Sequence, residues 1–543
     1  MDNRYYEKVI EEMQPFLDEQ GFKAQENGNF KNDKREIKIA YDEGRQMYVL
    51  SAADIGEEGD GELKEIDAWL FDDSQNAKDA ASVGVDFTAT LRKNMGIRLK
   101  RTADGSNVEL PSFSKGGSVT VTGVSTDTRT IAPGMLFVAI RGESFDGNDY
   151  IGAAAEKGAA AAISDRSSGA DGHSIPVILV EDSRAAQLAL ARYHRERFPL
   201  KLVGVTGSVG KTSTKDMVYA VLSAKYTTLK TEGNFNNDIG TPLTLLGLDH
   251  THEAAVIETG MNHFGEIRYL GEMVRPTVAV ITNVGDAHIE NLGGTRQGIL
   301  QAKCEIFENL QPGGLAVLNG DDELLSGLTL PFETVLCGQH KRCGVRVANV
   351  AEHGIDGVTC TVTTVRDIYE VTIPSPGAYM IYPAAMAIAI GEHLGLTKAE
   401  MLAGIAAYRP VGSRMHLVRC SNDRIIIDDC YNANPQAMAE ALRILAQTEH
   451  PRRMAVLGDM GELGDLTEQA HRDMGTLART LGLNTVVAIG PKAKAIQEAD
   501  PDALWFPTVT EALPAIRAAF TAGTAVLVKA SHAMHFTDIV KDL

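Results

Sequence analysis

Lys211, Thr212, Glu258, Asn283 and His288 are residues of the types that handle a phosphate chain and a divalent cation. Residues 206–214 read Thr-Gly-Ser-Val-Gly-Lys-Thr-Ser-Thr. They follow an apolar run (Leu202, Val203, Val205) and precede a helical pattern. Gly207 and Gly210 permit a tight turn whose successive backbone N–H groups face an anion at a helix N-terminus, so Ser208, Val209 and Ser213 join the cradle. Lys211 is placed to reach the β- and γ-phosphates and Thr212 to ligate Mg²⁺. The usual phosphate loop has a further glycine five positions before the second one, and here that position is Val205. The bland alternative is a glycine-serine turn before an ordinary helix. The apolar strand ahead and the Lys-Thr pair behind weigh against it.

A metal-dependent cycle needs a second acid. Glu258 ends the apolar run 254–257, at the carboxyl end of an expected strand, where ligands collect in open α/β sheets. Its oxygens suit Mg²⁺ beside Thr212. A second apolar run, 277–282, leads to Asn283, and His288 follows in Val-Gly-Asp-Ala-His. A histidine alone is more often a loop residue than a ligand, but the end of a neighbouring strand favours the ligand. Lys303, taken by itself, is a helix lysine on a solvated face.

At 543 residues the chain has room for three or four domains of about 150 residues. Residues 1–110 form an acidic α+β accessory domain. It has a helix over 5–20, strands over 35–42, 46–54 and near 66–71, and a helix near 81–96. A linker is expected over 100–117. Further domains are expected over 111–198, 199–408 and 409–543. In the last two, apolar strands alternate with helical stretches, which predicts α/β units on a mostly parallel sheet.

With 52 Lys and Arg against 72 Asp and Glu, the formal charge is −20, which argues against nucleic acid as a partner. No apolar stretch resembles a signal peptide, and no run of 18 apolar residues predicts membrane insertion. All six cysteines fall between Cys304 and Cys430 with spacings that match no zinc or disulfide framework. Reduced thiols and a cytoplasmic location are expected.

The stretches "TGSVGKTST", "EGNFNNDIGTPLTLL", "VIETGMNHFGEI", "AHIENLGGTRQGILQAKCEIF", "DDCYNANPQAM" and "VLGDMGELG" together resemble the Mur ligase family, the ATP-dependent amide-forming enzymes of peptidoglycan synthesis. That family carries Thr-Gly-x-x-Gly-Lys-Thr-Ser in place of the common loop, which accounts for Val205. The resemblance covers residues 117–543. It implies a nucleotide-sugar-binding domain, a central P-loop ATPase-type parallel sheet and a C-terminal Rossmann-like domain, behind the extra α+β N-terminal domain. "VLGDMGELG" points to the branch that joins D-alanyl-D-alanine to UDP-N-acetylmuramoyl-tripeptide. By resemblance, Lys303 takes up CO₂ as a carbamate and holds a second Mg²⁺ with His288, while Glu258 bridges the two ions. Arg414 contacts the ATP phosphates and Asp429 the ribose. Thr126, Asp127, Thr128 and Arg129 approach the uridine nucleotide; Asn236, Asn237, Asp238, Tyr431 and Asn432 fall at the substrate. The attacking group is the substrate carboxylate, so no Ser, Cys or His nucleophile is expected.

Three positions depart from the family pattern. Tyr379 and Pro383 stand where a His and an adenine-reading Asn are usual, and His532 stands where an Arg is usual. Three rival readings remain at this stage. A ligase adding another amino acid or dipeptide lacks support, because the Asp-Asn-Pro-Arg motif of the diaminopimelate-adding type is absent. A GTPase switch would need an Asn-Lys-x-Asp motif, which is also absent. A non-catalytic Mur-like binding protein rests on Pro383 and His532 alone. For residues 1–110 a protein partner and a merely solvated accessory domain are equally open.

Overall fold

The computed structural model describes residues 6–25, 29–32, 35–42, 47–56, 59–60, 64–70, 98–101, 107–110, 119–142, 145–166, 173–285, 289–461 and 463–543. The chain divides into two units, Met1–Val119 and Thr120–Leu543.

In the first unit, Val9, Met13, Phe16 and Leu17 recur at helical spacing on the helix Tyr6–Glu19. They bury against Ile37, Ile39, Tyr48 and Leu50, which alternate along the antiparallel strands Arg35–Asp42 and Met47–Gly56. Period 3.6 facing period 2 is the pattern of a helix lying on one face of a sheet. A third strand, Lys64–Leu70, pairs with Met47–Gly56. The expected linker is corrected in part: Arg98–Arg101 and Asn107–Leu110 form an antiparallel pair. An Asp-Gly between two strand-capable stretches is a hairpin signal, and it outweighs the polar composition that suggested a linker. The helix expected near 81–96 lies outside the described residues.

The second unit contains three sheets. A four-stranded parallel sheet runs in the order Val177–Leu179, Ala161–Ser164, Leu136–Val138, Val124–Ser125. The central sheet has nine strands. Its parallel part is ordered Thr228–Lys230, Ala254–Glu258, Lys201–Thr206, Val278–Ile281, Leu315–Asn319, Glu333–Gly338. Val345–Glu352, Val358–Thr363 and Ile368–Ile373 extend it, the last two antiparallel. The third sheet begins with His416–Cys420 antiparallel to Arg424–Asp428. It continues in parallel through Thr524–Lys529, Arg452–Gly458, Thr485–Ile489 and Leu504–Phe506.

The strand Lys201–Thr206 is buried on both faces and is flanked by Ala254–Glu258 and Val278–Ile281; the chain passes from it to Thr228–Lys230 and Ala254–Glu258 on one side, then over to Val278–Ile281 on the other. That reversal of strand order opens a crevice at the carboxyl ends. The helix Lys211–Leu222 that follows the phosphate loop is covered by Ile381–His393 and Lys398–Ala407, sealing Val218, Val221 and Leu222 in the main core. Pro383 sits in the first turn of Ile381–His393, where a missing N–H loses no helical bond.

In the third sheet's domain, His471 is fully buried. Its Nε2 accepts from the Met460 N–H at 3.0 Å, and its Nδ1 lies 2.6 Å from the Thr467 carbonyl oxygen. Those partners require the neutral ring, and burial lowers its pKa from 6.5. A depressed histidine contributes stability above the unfolded value and loses it as pH falls. Stability of the wild type against unfolding should therefore fall as pH drops below about 6.5. His471→Gln should be less stable at pH 8 but flatter between pH 8 and 5, read by denaturant unfolding at each pH.

Candidate active site

Val205 is fully buried and still in the sheet, so no glycine is needed there; the turn begins two residues later. Gly207 has φ +153°, and a Cβ on it would stand 1.8 Å from Thr282 Oγ1. Gly210 takes φ +81° as it enters the helix. The loop is pinned from the next strand. Asn283 Oδ1 accepts from the Val209 N–H at 2.9 Å, and its Nδ2 donates to the Val209 carbonyl at 3.0 Å. Thr282 Oγ1 donates to the same carbonyl at 2.6 Å, and Ser208 Oγ accepts from the Gly285 N–H at 2.9 Å. Asn283 therefore shapes the loop with both of its amide atoms. Lys211 Nζ lies across the loop, donating to the carbonyls of Gly207 (2.9 Å) and Ser208 (3.4 Å). Enclosure lowers its pKa; Glu258 opposes that shift and Arg414 adds to it, so all three charges share one site.

Glu258 ends its strand 2% exposed. Oε2 accepts from Thr212 Oγ1 at 2.9 Å, and Oε1 accepts from Asn236 Nδ2 at 2.8 Å. These two buried oxygens, 2.9 Å apart, are of the hard type that Mg²⁺ takes as ligands. Lys303 corrects the expectation of a solvated lysine, because it is 2% exposed on the helix Arg296–Cys304. Burial first, then the charge of Lys211, push its pKa well down. Among the described residues no carboxylate pairs with it, and no cluster of three His, Cys, Asp or Glu could hold a metal unaided. His288 lies outside the described residues.

The C-terminal domain contributes Arg414, whose guanidinium lies 3.7 Å above the centre of the Tyr431 ring. Asp429 Oδ1 accepts from the Met415 N–H at 3.1 Å, and Oδ2 pairs with the buried Lys529, the carboxylate side of the pair being partly open to the cavity. Lys529 also donates to the Asn432 carbonyl at 3.1 Å. Asp429 thus carries partners of its own at the place expected to meet a ribose.

Asn237 Oδ1 accepts from the Ile239 and Gly240 N–H groups, opening the helix Gly240–Leu246. Asp238 Oδ2 pairs with Arg184 Nη1 at 2.6 Å, and Arg184 Nη2 donates to the Arg141 carbonyl. Sequence reasoning missed Arg184, Asp321 and Tyr382; no motif surrounds Arg184, and Tyr382 was masked by the proline beside it. One cavity of about 1710 Å³ gathers these groups, from Arg184 through the phosphate loop to Lys529. Ser213, Tyr431 and Asn432 line it too. Thr126, Asp127, Thr128 and Arg129 do not. They form a turn in which Asp127 accepts from the Arg129 N–H and guanidinium, with the Arg129 side chain 87% exposed.

A glycine-bent loop, a threonine–carboxylate pair and a second domain bringing an arginine define a P-loop nucleotide-dependent enzyme of several domains. Three family models match the chain: "Mur ligase family, catalytic domain" over residues 120–197, "Mur ligase middle domain" over 205–391 and "Mur ligase, glutamate ligase domain" over 413–532. The UDP-N-acetylmuramoyl-tripeptide–D-alanyl-D-alanine ligase of Bacillus subtilis is 36% identical over 429 residues, 78% of this chain and 93% of that protein. The Escherichia coli ligase of the same name is 36% identical, over 75% of this chain and 88% of that protein. The crystal structure of MurF from Acinetobacter baumannii superposes with a TM-score of 0.71 at 32% identity, covering 78% of this chain and 93% of that one. MurF from Thermotoga maritima, in complex with ADP, gives a TM-score of 0.69 at 27% identity, covering 78% and 98%. The chain belongs to the Mur ligase family.

Two variants test the loop. Gly207→Ala should displace the loop, costing about 1–3 kcal/mol in unfolding and abolishing ADP binding. Asn283→Ala leaves the Val209 N–H unpaired; about tenfold weaker ADP binding by calorimetry is expected, with the fold retained by circular dichroism.

Proposed function

We propose that this protein joins D-alanyl-D-alanine to UDP-N-acetylmuramoyl-tripeptide with ATP, forming ADP and phosphate, in cytoplasmic peptidoglycan precursor synthesis. The observation that carries this reading is the meeting of Lys211, Thr212, Glu258 and Arg414 in one cavity, with Lys303 buried near enough to Lys211 to feel its charge, in a chain similar along most of its length to ligases of that name. The cytoplasmic placement follows from the substrates, ATP and a soluble nucleotide sugar. No described helix is long and apolar enough to cross a membrane.

In the first step the tripeptide carboxylate oxygen attacks the γ-phosphorus. The bond to the β–γ bridging oxygen breaks, leaving an acyl phosphate and ADP. The dipeptide amine then attacks the acyl carbon, and the carbon–oxygen bond to phosphate breaks with loss of a proton. Two anions must meet at the start, so positioned cations do the main work. Lys211 offsets charge on the transferred phosphoryl group, and Arg414 brings a second cation from the C-terminal domain. Backbone N–H groups of the loop hold the remaining phosphates. Asn236 steadies the Glu258 carboxylate. Closure of the C-terminal domain keeps water from the acyl phosphate.

Thr212 and Glu258 would hold one Mg²⁺; His288 and a carbamylated Lys303 would complete a second site with Glu258. When bound, the ions supply Lewis-acid neutralisation of the phosphate and carboxylate oxygens. The depressed pKa of Lys303 favours the free amine, whose nitrogen adds to CO₂ with loss of a proton. Thr126–Arg129, a half-buried turn outside the cavity lining with Arg129 exposed, would approach the uridine nucleotide, and Asp429 the ribose. The sheets at 124–179, 201–373 and 416–529 correspond, in this reading, to sugar-nucleotide, ATP and ligase domains.

Phosphate release from MgATP should require both the tripeptide nucleotide and D-alanyl-D-alanine, with a pentapeptide product by mass spectrometry. Lys303→Ala should lose at least about a hundredfold in rate and regain part of it with added short carboxylic acids. Phosphate release that ignores the dipeptide would sink the reading.

A further inference from the structure

The cavity extends along the sheet away from Glu258. The strand Lys201–Thr206 has Ala254–Glu258 on one side; on the other come Val278–Ile281 and then Leu315–Asn319. Neighbouring strands are about 4.8 Å apart, so residues just past Asn319 stand roughly 10 Å to the side of the phosphate loop, opposite Glu258. That displacement suits the sugar and base of a nucleotide whose terminal phosphate points at Glu258. Asp321 and Tyr382 line the cavity there, and the Tyr382 hydroxyl donates to Asp321 Oδ2 at 3.1 Å.

Both groups are held. Asp321 Oδ1 accepts from the His340 N–H at 2.8 Å, and Oδ2 accepts from the Gln339 N–H at 2.7 Å. The Asp321 N–H donates to Asn319 Oδ1 at 3.0 Å. Tyr382 stands in the first turn of Ile381–His393, beside Pro383, which has no polar side chain to offer a base. Burial, then the Asp321 charge, push the Tyr382 pKa up to about 12, so the hydroxyl keeps its proton and directs it at the carboxylate. The Gln339 side chain also reaches that hydroxyl. Oδ2 already accepts twice, so what remains toward the cavity is acceptor capacity on the phenol oxygen, which Asp321 fixes in place.

We propose that the Asp321–Tyr382 pair reads the nucleobase, accepting from the 6-amino group of adenine and excluding purines that carry a 6-oxo group. The inference rests on the ATP-dependent reading above. A 6-oxo group would set a third oxygen against two others with no proton between them. Guanine could instead offer its N1–H and 2-amino group to an open carboxylate edge. In this chain the Gln339 and His340 N–H groups already fill that edge.

Calorimetric binding of ADP, IDP and GDP to the full chain tests this. The wild type should favour ADP over both others by at least about tenfold. Tyr382→Phe should reduce the ADP-to-IDP ratio about fivefold by removing one acceptor. Asp321→Asn, whose carboxamide can turn an N–H toward a 6-oxo group, should shift the ratio toward IDP. A wild-type ratio within twofold overturns the proposal, as does a GDP preference or an unchanged ratio in Tyr382→Phe. If Asp321→Asn fails to fold, Tyr382→Phe decides alone. Failure of all three nucleotides to bind removes the ATP reading itself, a different result from loss of base discrimination.

Discussion

The fixed shape of one backbone loop underlies everything else in the site. A row of N–H groups binds phosphate only if it is already aimed, because aiming it on demand would cost the entropy of several residues. Here the aiming is done by Thr282 and Asn283, which together hold both polar groups of the Val209 peptide. Gly207 lets Thr282 approach closer than any side chain would allow. The loop is therefore part of the sheet's rigid end, and its Ser208 N–H donates to the Asn283 carbonyl at 3.1 Å just beyond the neighbouring strand.

Charge in the cavity is sorted by place and not reversed in sign. The chain is acidic by 20 charges, and the cavity lining also holds more carboxylates than cations, with Lys211, Arg184, Arg296, Arg414 and Lys529 set among them. Asp429 pairs with Lys529 and Asp238 with Arg184, while Lys211 and Arg414 share the end of the cavity where Glu258 stands. The cations that a phosphate chain needs are therefore concentrated locally at the phosphate loop.

Much of this was legible in the residues. The loop glycines, Lys211, Thr212 and Glu258 obey local rules: a strand runs into a turn and the turn into a helix, and a carboxylate ends the neighbouring strand. The strand of residues 35–42 and the first helix, found within a residue of its expected ends, were set by hydrophobic period alone. Tertiary facts were less visible. Lys303 reads as solvated from its helix alone, because the residues that bury it and bring it near Lys211 are distant in the chain. Pro383 looked like a loss at the base site, since nothing in the chain order announces that Tyr382 meets Asp321, sixty-one residues earlier. The pair Arg98–Arg101 and Asn107–Leu110 was read as linker because its composition is polar, and strand pairing defines it.

Arg414 lies flat on the Tyr431 ring before any nucleotide enters the argument. An unstacked arginine would have to find one rotamer among many at each turnover. This one loses that freedom when the chain folds, once in the lifetime of the molecule. In the closure proposed for the C-terminal domain, the charge it carries is already aimed. Its precision comes from the stacking of two flat groups.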